Sequence, residues 1–310
     1  MPVDSIATVR GPVLRPGDTV AVVSPAGPAE PELVEVGLDL FRSWGLNPVL
    51  GAHALDRDGF LAGRDEDRAA DLNAALRDPQ VRAVVATRGG YGAQRIVDEI
   101  DLAAARRDPK PVVGFSDITA LQLALWRGAR LACVHGPGLA WRPSRTGDLS
   151  AESLRDALLT TRPVVVKQDP AAPTAPVTCG GSAAGTLLGG NLCLLTTSLG
   201  TPDFPDLAGA VLLIEDVAEP PYKVDRMLTQ LRRAGALAEV AAVAVGQFVG
   251  ADADPATTTE VLTDALGQLG VPVLGGLPIG HGDGQLTVPV GVPATLDAEA
   301  GTLTASAAVC

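Results

Sequence analysis

What most narrows the folds open to this chain is the rhythm of its first half. Between Asp18 and Pro137, β-type runs alternate with helical patterns. "DTVAVVSP", "VRAVVATRGG", "KPVVGF" and "RLACVHGP" are strand-like, and "NPVLGAHAL" is extended. Between them, "AEPELVEVGLDLFRSWG" is apolar near the 3.6 period and stops at Gly45. "DEDRAADLNAALRDP" has an acidic first turn and a proline stop, and "GAQRIVDEIDLAAARR" and "DITALQLALWRG" read as two further helices. Strands alternating with helices predict a parallel sheet with helices on both faces. Sheets of this kind place their active groups beyond the carboxyl ends of the strands, where Ser24, Gly89, Gly90, Ser116 and His135 fall.

The rhythm changes after about Leu139. "WRPSRTGDLSAESLRDALL" carries turn-forming residues and one short helix, which predicts a connection over residues 146–165. It separates an N-terminal α/β domain, residues 1–145, from a C-terminal domain, residues 166–310. The latter mixes strands ("AGAVLLIEDV", "VAAVAVGQFVG") and helices ("YKVDRMLTQLRRAGAL", "TTTEVLTDALGQLG") with loops rich in Pro, Ala and Gly. It closes on a series of short strands, so the second domain should be the more β-rich.

Composition excludes several partners. The 310 residues are 46% hydrophobic, enough for one large or two ordinary domains, with only 3% aromatic residues to fill the core. A net charge of −12 with no basic patch disfavours nucleic acid and anionic lipid. No apolar run approaches the roughly 18 residues that span a bilayer, and the start lacks a signal-peptide core. A cytoplasmic protein is expected. Cys133, Cys179, Cys193 and Cys310 show no metal spacing and are expected as free thiols, with no structural metal.

Within "GFSDI", Ser116 stands at an abrupt strand-to-helix corner. A nucleophile elbow needs that corner to hold the hydroxyl out beside backbone N–H groups. Gly114 fits the G-x-S-x-G pattern, but Ile118 replaces its last glycine, and a helix N-cap is the competing reading. In "TRGGYGAQR", Arg95 stands where a dinucleotide fingerprint has its third glycine. The Gly89–Gly90 pair could instead offer an N–H to an oxyanion, or be a plain turn. A serine hydrolase needs a base, and there are three histidines. His53 reads as structural, while His135 and His281 stay open. Glu215 and Asp216 end a strongly apolar strand, and only one of two successive strand side chains can face a site.

The ordered set "VVSPAGP", "TRGGYGAQR", "VVGFSDITAL", "HGP", "GTLLGGNLCLL", "LLIEDVAEPPYKVDRMLTQL" and "GLPIGHGDGQLTVPVG" resembles the LD-carboxypeptidases, serine peptidases that include microcin-immunity peptidases. The likeness runs from about Thr19 to about Leu303. It implies Ser116 as nucleophile, His281 rather than His135 as base, Glu215 as its carboxylate, and backbone N–H groups of Asp117 and Gly90 as the oxyanion hole. It also implies an α/β domain joined to a β-rich, barrel-like α/β domain, with the site between them. The expected reaction releases terminal D-alanine from murein tetrapeptides in cell-wall recycling, through an acyl-enzyme and without metal or organic cofactor. A homodimer is a family expectation. For substrate binding, Arg88 is the candidate for the free carboxylate, and Asn191 for the peptide.

Two other readings stand. A microcin-immunity-type peptidase would cut a peptide-nucleotide antibiotic or a related acyl-amide, and would need an aromatic to stack a base; the connection offers Trp141. A two-domain small-ligand-binding protein would use the glycine loop to hold an anion.

Overall fold

The structure is a computed structural model that describes residues 7–250 and 255–310. Its first half runs β1 (Thr19–Val23), α1 (Pro31–Ser43), β2 (Asn47–Leu50), α2 (Asp65–Arg77), β3 (Val81–Ala86), α3 (Leu102–Arg107), β4 (Val112–Gly114), α4 (Thr119–Ala129) and β5 (Cys133–His135). There follow α5 (Pro143–Leu159), β6 (Val164–Lys167), β7 (Ser182–Asn191), α6 (Leu192–Thr197), β8 (Val211–Val217), α7 (Pro221–Arg233) and β9 (Ala242–Val249). The chain closes with α8 (Pro255–Gly267), β10 (Val273–Leu274), β11 (Val288–Val290), β12 (Val292–Asp297) and β13 (Thr302–Ala305).

The first sheet has the order β11-β5-β4-β3-β1-β2 and is parallel except for β11. From β1 the chain crosses to β2 on one side and to β3, β4 and β5 on the other. Between β1 and β3 lies the point where the winding reverses, and sheets of this kind carry their sites beyond the strand ends near that point. The second sheet, β10-β9-β8-β7-β12-β13-β6, is parallel through β7 and antiparallel beyond it. The architecture is α/β, with one parallel sheet and one mixed, curled sheet.

The two halves interlock. β11 leaves the C-terminal half and pairs antiparallel with β5, setting Val288 opposite His135. One apolar cluster runs from Val22 and Val113 through Leu213 to Leu303. The predicted connection holds the 17-residue α5, divided by Gly147 at φ 65°, ψ −177°. It buries Leu154, Ala157 and Leu158.

One helix differs from expectation. The "GAQRIVDEIDLAAARR" segment forms two 3-10 turns, Ala93–Arg95 and Val97–Glu99, before the short α3. The break has a long-range cause. The Asn73 amide donates to Glu99 O (2.6 Å) and accepts from Asp101 N (2.7 Å), while the Asp101 carboxylate accepts from Ala104 N (2.9 Å) and starts a new helix.

Candidate active site

β4 ends at Gly114, and Phe115 continues extended at φ −152°. Ser116 then takes φ 62°, one of three described non-glycine residues with positive φ. This left-handed conformation is costly for a residue with a Cβ and turns the chain sharply into α4. Ser116 makes no capping bond, and Phe115 holds the cap position of the 3-10 turn that begins at Ser116. The corner depends on its neighbour: a Cβ on Gly89 would lie 2.8 Å from Ser116 Cβ and 3.2 Å from Asp117 N. Only glycine allows the loop after β3 to pack against the serine turn this closely.

That loop is held to the loop after β1, where Gly27 N donates to Gly89 O (3.1 Å). Gly90, at φ 118°, would bring a Cβ within 3.0 Å of Gly27 Cα. Asp117, a predicted oxyanion donor through its backbone, is buried, and its carboxylate accepts from Ala93 N (2.7 Å). Burial pushes that carboxyl up to about 6.

From the other sheet, β8 carries Glu215, fully buried. Glu215 Oε2 lies 2.6 Å from His281 Nδ1. The loop bearing His281 is fixed by Gly282 N donating to Gln247 Oε1 (2.7 Å). The Phe115 ring lies 4.7 Å from the His281 ring, centroid to centroid. Ser116, His281, Arg88, Gly89 and Gly90 line one cleft of about 420 Å³.

Asp216, whose side chain leaves β8 on the opposite face, accepts from Asn191 Nδ2 (2.9 Å) and Cys193 N (3.0 Å). Asn191 also caps α6 through Leu194 N (3.1 Å) and is buried. Its amide is spent at both ends, so the structure does not bring Asn191 to the cleft wall. Arg88 is exposed on that wall, with Nη1 3.4 Å from Pro28 O. His53 bonds Asp56 (2.8 Å) at the surface, outside the cleft lining.

His135 is fully buried with no hydrogen-bond partner on either ring nitrogen. Burial pushes its imidazole down to about 4. Between that value and the ordinary 6.5, the unfolded chain binds a proton that the folded chain refuses, so this group's contribution is lost as pH falls through the window. Asp117 and Asp216, both raised to about 6 by burial, act with the opposite sign. Their contribution is full below about 3.8 and lost as pH rises through 6. Replacing His135 by Phe therefore protects specifically on the acid side, by about 3 kcal/mol at pH 4 relative to pH 7. Urea midpoints of wild type and variant at the two pH values check this; equal pH dependence in both proteins would contradict it.

No sequence pattern points to Glu30, Arg142 or Gln285, which also line the cleft. Arg142 pairs with Glu30 (3.4 Å). Phe115 could have been singled out, since it adjoins Ser116. The four cysteines are free. Among the described residues no helix is long and apolar enough to cross a membrane.

Comparison with known proteins adds to this geometry. Family models described as the LD-carboxypeptidase N-terminal domain and the LD-carboxypeptidase C-terminal domain match residues 20–136 and 184–296. A putative carboxypeptidase of Streptomyces coelicolor is 46% identical over 302 residues, covering 96% of each chain. The murein tetrapeptide carboxypeptidase of Pseudomonas aeruginosa is 32% identical over 292 residues, covering 90% of this chain and 92% of the relative. A solved structure of MccF in complex with glutamyl sulfamoyl guanosine shares the fold, with a TM-score of 0.84 at 24% identity over 96% of this chain and 98% of that one.

Proposed function

Because the chain belongs to the LD-carboxypeptidase family of serine peptidases, we propose that it releases the terminal D-alanine of murein tetrapeptides in cytoplasmic cell-wall recycling. The observation that carries the reading is the 2.6 Å bond from Glu215 Oε2 to His281 Nδ1 in the cleft that also exposes the strained Ser116.

In this mechanism Ser116 Oγ attacks the carbonyl carbon of the last peptide bond while His281 Nε2 takes its proton. Glu215 keeps the proton on Nδ1, which leaves Nε2 as the base, and it stabilises the imidazolium that forms. The carbonyl oxygen becomes an oxyanion and is received by the N–H groups of Asp117 and Gly90, each contributing about 3 kcal/mol. The C–N bond breaks, and His281 delivers its proton to the leaving D-alanine nitrogen. Water, deprotonated by the same imidazole, then attacks the acyl ester; as the bond to Ser116 Oγ breaks, the His281 imidazolium returns the proton to Ser116.

A carboxypeptidase also needs a partner for the substrate's free carboxylate. The exposed Arg88 guanidinium, next to the glycine pair, is the proposed partner, since it can grip a carboxylate bidentately. Arg88→Met should then raise KM by about tenfold or more while kcat changes less, the signature of lost ground-state binding. Steady-state kinetics on a tetrapeptide read this; an unchanged KM would remove Arg88 from the site.

Mass-spectrometric detection of D-alanine release from a muropeptide tetrapeptide, beside Ser116→Ala, tests the function. An acyl-sulfamoyl nucleoside as parallel substrate tests the microcin-immunity reading. The peptide is favoured because Trp141 is only 4% exposed, and the cleft's aromatic ring, Phe115, is already packed on His281. A small-ligand-binding protein would not be labelled at Ser116 by a fluorophosphonate.

A further inference from the structure

We propose that Arg68 is a positioning residue for the oxyanion site: its buried guanidinium clamps the loop after β1 to the loop after β3 and so fixes the Gly90 N–H. The inference rests on the serine-peptidase reading above, but half of its test needs no murein substrate.

Arg68 lies on α2, facing inward, with its side chain fully buried. Its Nη1 donates to two carbonyls from different loops, Pro25 O and Gly92 O, the latter at 3.0 Å. Its Nη2 pairs with Asp65, which Arg95 grips from the other side (Nη2 to Oδ2, 2.6 Å). A planar guanidinium can serve acceptors in these separate directions, whereas an ammonium is a point charge on a shorter stem.

What Arg68 holds is the conformation that the chemistry needs. Gly90 and Gly92 sit at φ 118° and 123°, and a Cβ on Gly92 would meet Leu61 Cδ2 at 2.5 Å and Arg68 Nη1 at 3.0 Å. The segment is pinned at both ends of one peptide group, the Gly92–Ala93 unit. Arg68 takes the Gly92 carbonyl, and the Asp117 carboxylate takes the Ala93 N–H (2.7 Å). Asp117 belongs to the serine turn, so this pair of contacts ties nucleophile and oxyanion loop to one buried charge centre. The Pro25 contact adds the third piece, because Gly27 of that loop bonds Gly89 O. Without the guanidinium, two carbonyls lose their donor and Asp65 loses its buried partner. The glycine loop is then free to relax away from the geometry that receives an oxyanion.

The test uses the full-length chain with Arg68→Lys, read by tetrapeptide kcat and KM and by the rate constant for fluorophosphonate labelling of Ser116. Oxyanion donors act on the tetrahedral state rather than on substrate binding. The expected result is a fall of about 10- to 100-fold in kcat and a matching fall in labelling rate, with KM within about threefold. Wild-type kcat and labelling in a folded Arg68→Lys would overturn the proposal, as would a loss confined to KM. If that variant does not fold, Asp65→Asn carries the test with the same criteria and an expected loss of about 5- to 10-fold. Wild-type protein that labels but releases no D-alanine refutes the substrate reading alone, and the labelling arm still decides on Arg68. Wild-type protein that does not label ends both.

Discussion

Ser116→Ala and His281→Ala are each expected to lower the rate of D-alanine release by about 10⁵- to 10⁶-fold, with the double variant no slower than either alone. The non-additivity follows from the proposed chemistry. His281 acts by removing the Ser116 proton, and Ser116 is inert without that removal, so losing either loses the same step. A residual rate above uncatalysed hydrolysis should survive in both, because the backbone donors at Asp117 and Gly90 are unaffected. The variants should differ in stability. Ser116→Ala removes one hydroxyl from a cleft wall, and its Cβ still packs on Gly89. His281→Ala strips a fully buried carboxylate of its 2.6 Å partner, a change that costs about 3 kcal/mol in comparable buried pairs. Single-turnover kinetics with urea unfolding on each protein read both effects. Additive losses in the double variant would mean that the serine and the histidine do not work on one proton.

Much of the first sheet was legible because its signal is local. Valine-rich runs between helical patterns became β1, β3, β4 and β5, whereas their order in the sheet, and with it the switch point, is set by long-range pairing. Ser116 was only half legible. Residue type allowed a cap or a nucleophile, and what separates them is the sign of φ, set by Gly89 packing from 27 residues away in the chain. The choice between His135 and His281 lay further out of reach. His135 ends β5 and His281 lies in a glycine-flanked loop, but β11 returns from the distant C-terminal half to pair beside His135, and no local pattern announces an antiparallel strand on a parallel sheet. That choice came from the resemblance rather than from periodicity. The partners of Asn191 were out of reach for a related reason: the amide follows a glycine pair, and Asp216 and the α6 backbone, which bond its two ends, are set by the fold. No local pattern singles out Arg68 within its helix, because its carbonyl partners lie in loops 24 and 43 residues away in the chain.

Glu215→Gln should lower kcat by about 10⁴-fold, and Gly280→Ala, which alters none of the proposed reacting groups, by about 10³-fold. Both act on one bond. In the proposed mechanism the carboxylate accepts from Nδ1 and thereby leaves Nε2 as the base; an amide can present its own N–H to Nδ1 and so favour the unproductive tautomer. Gly280 sets the space this carboxylate occupies. A Cβ there would stand 2.6 Å from Glu215 Oε2 and 2.9 Å from Glu215 Cβ, on a residue at φ 121°. Retreat is blocked on another side, where Gly246 approaches so closely that its own Cβ would lie 3.1 Å from Glu215 Cβ. The methyl group must therefore displace either the carboxylate or the His281 loop, and either movement breaks the 2.6 Å contact. Gly284→Ala is the control, since it has a positive φ of 67° in the same loop but nothing within 4 Å of the added Cβ. It should cost about 1 kcal/mol in stability from backbone strain and leave kcat within a few-fold of wild type. Gly280→Ala retaining more than a tenth of wild-type kcat would show that the Glu215–His281 bond does not govern the rate, and with it the proposed role of the buried carboxylate would fall.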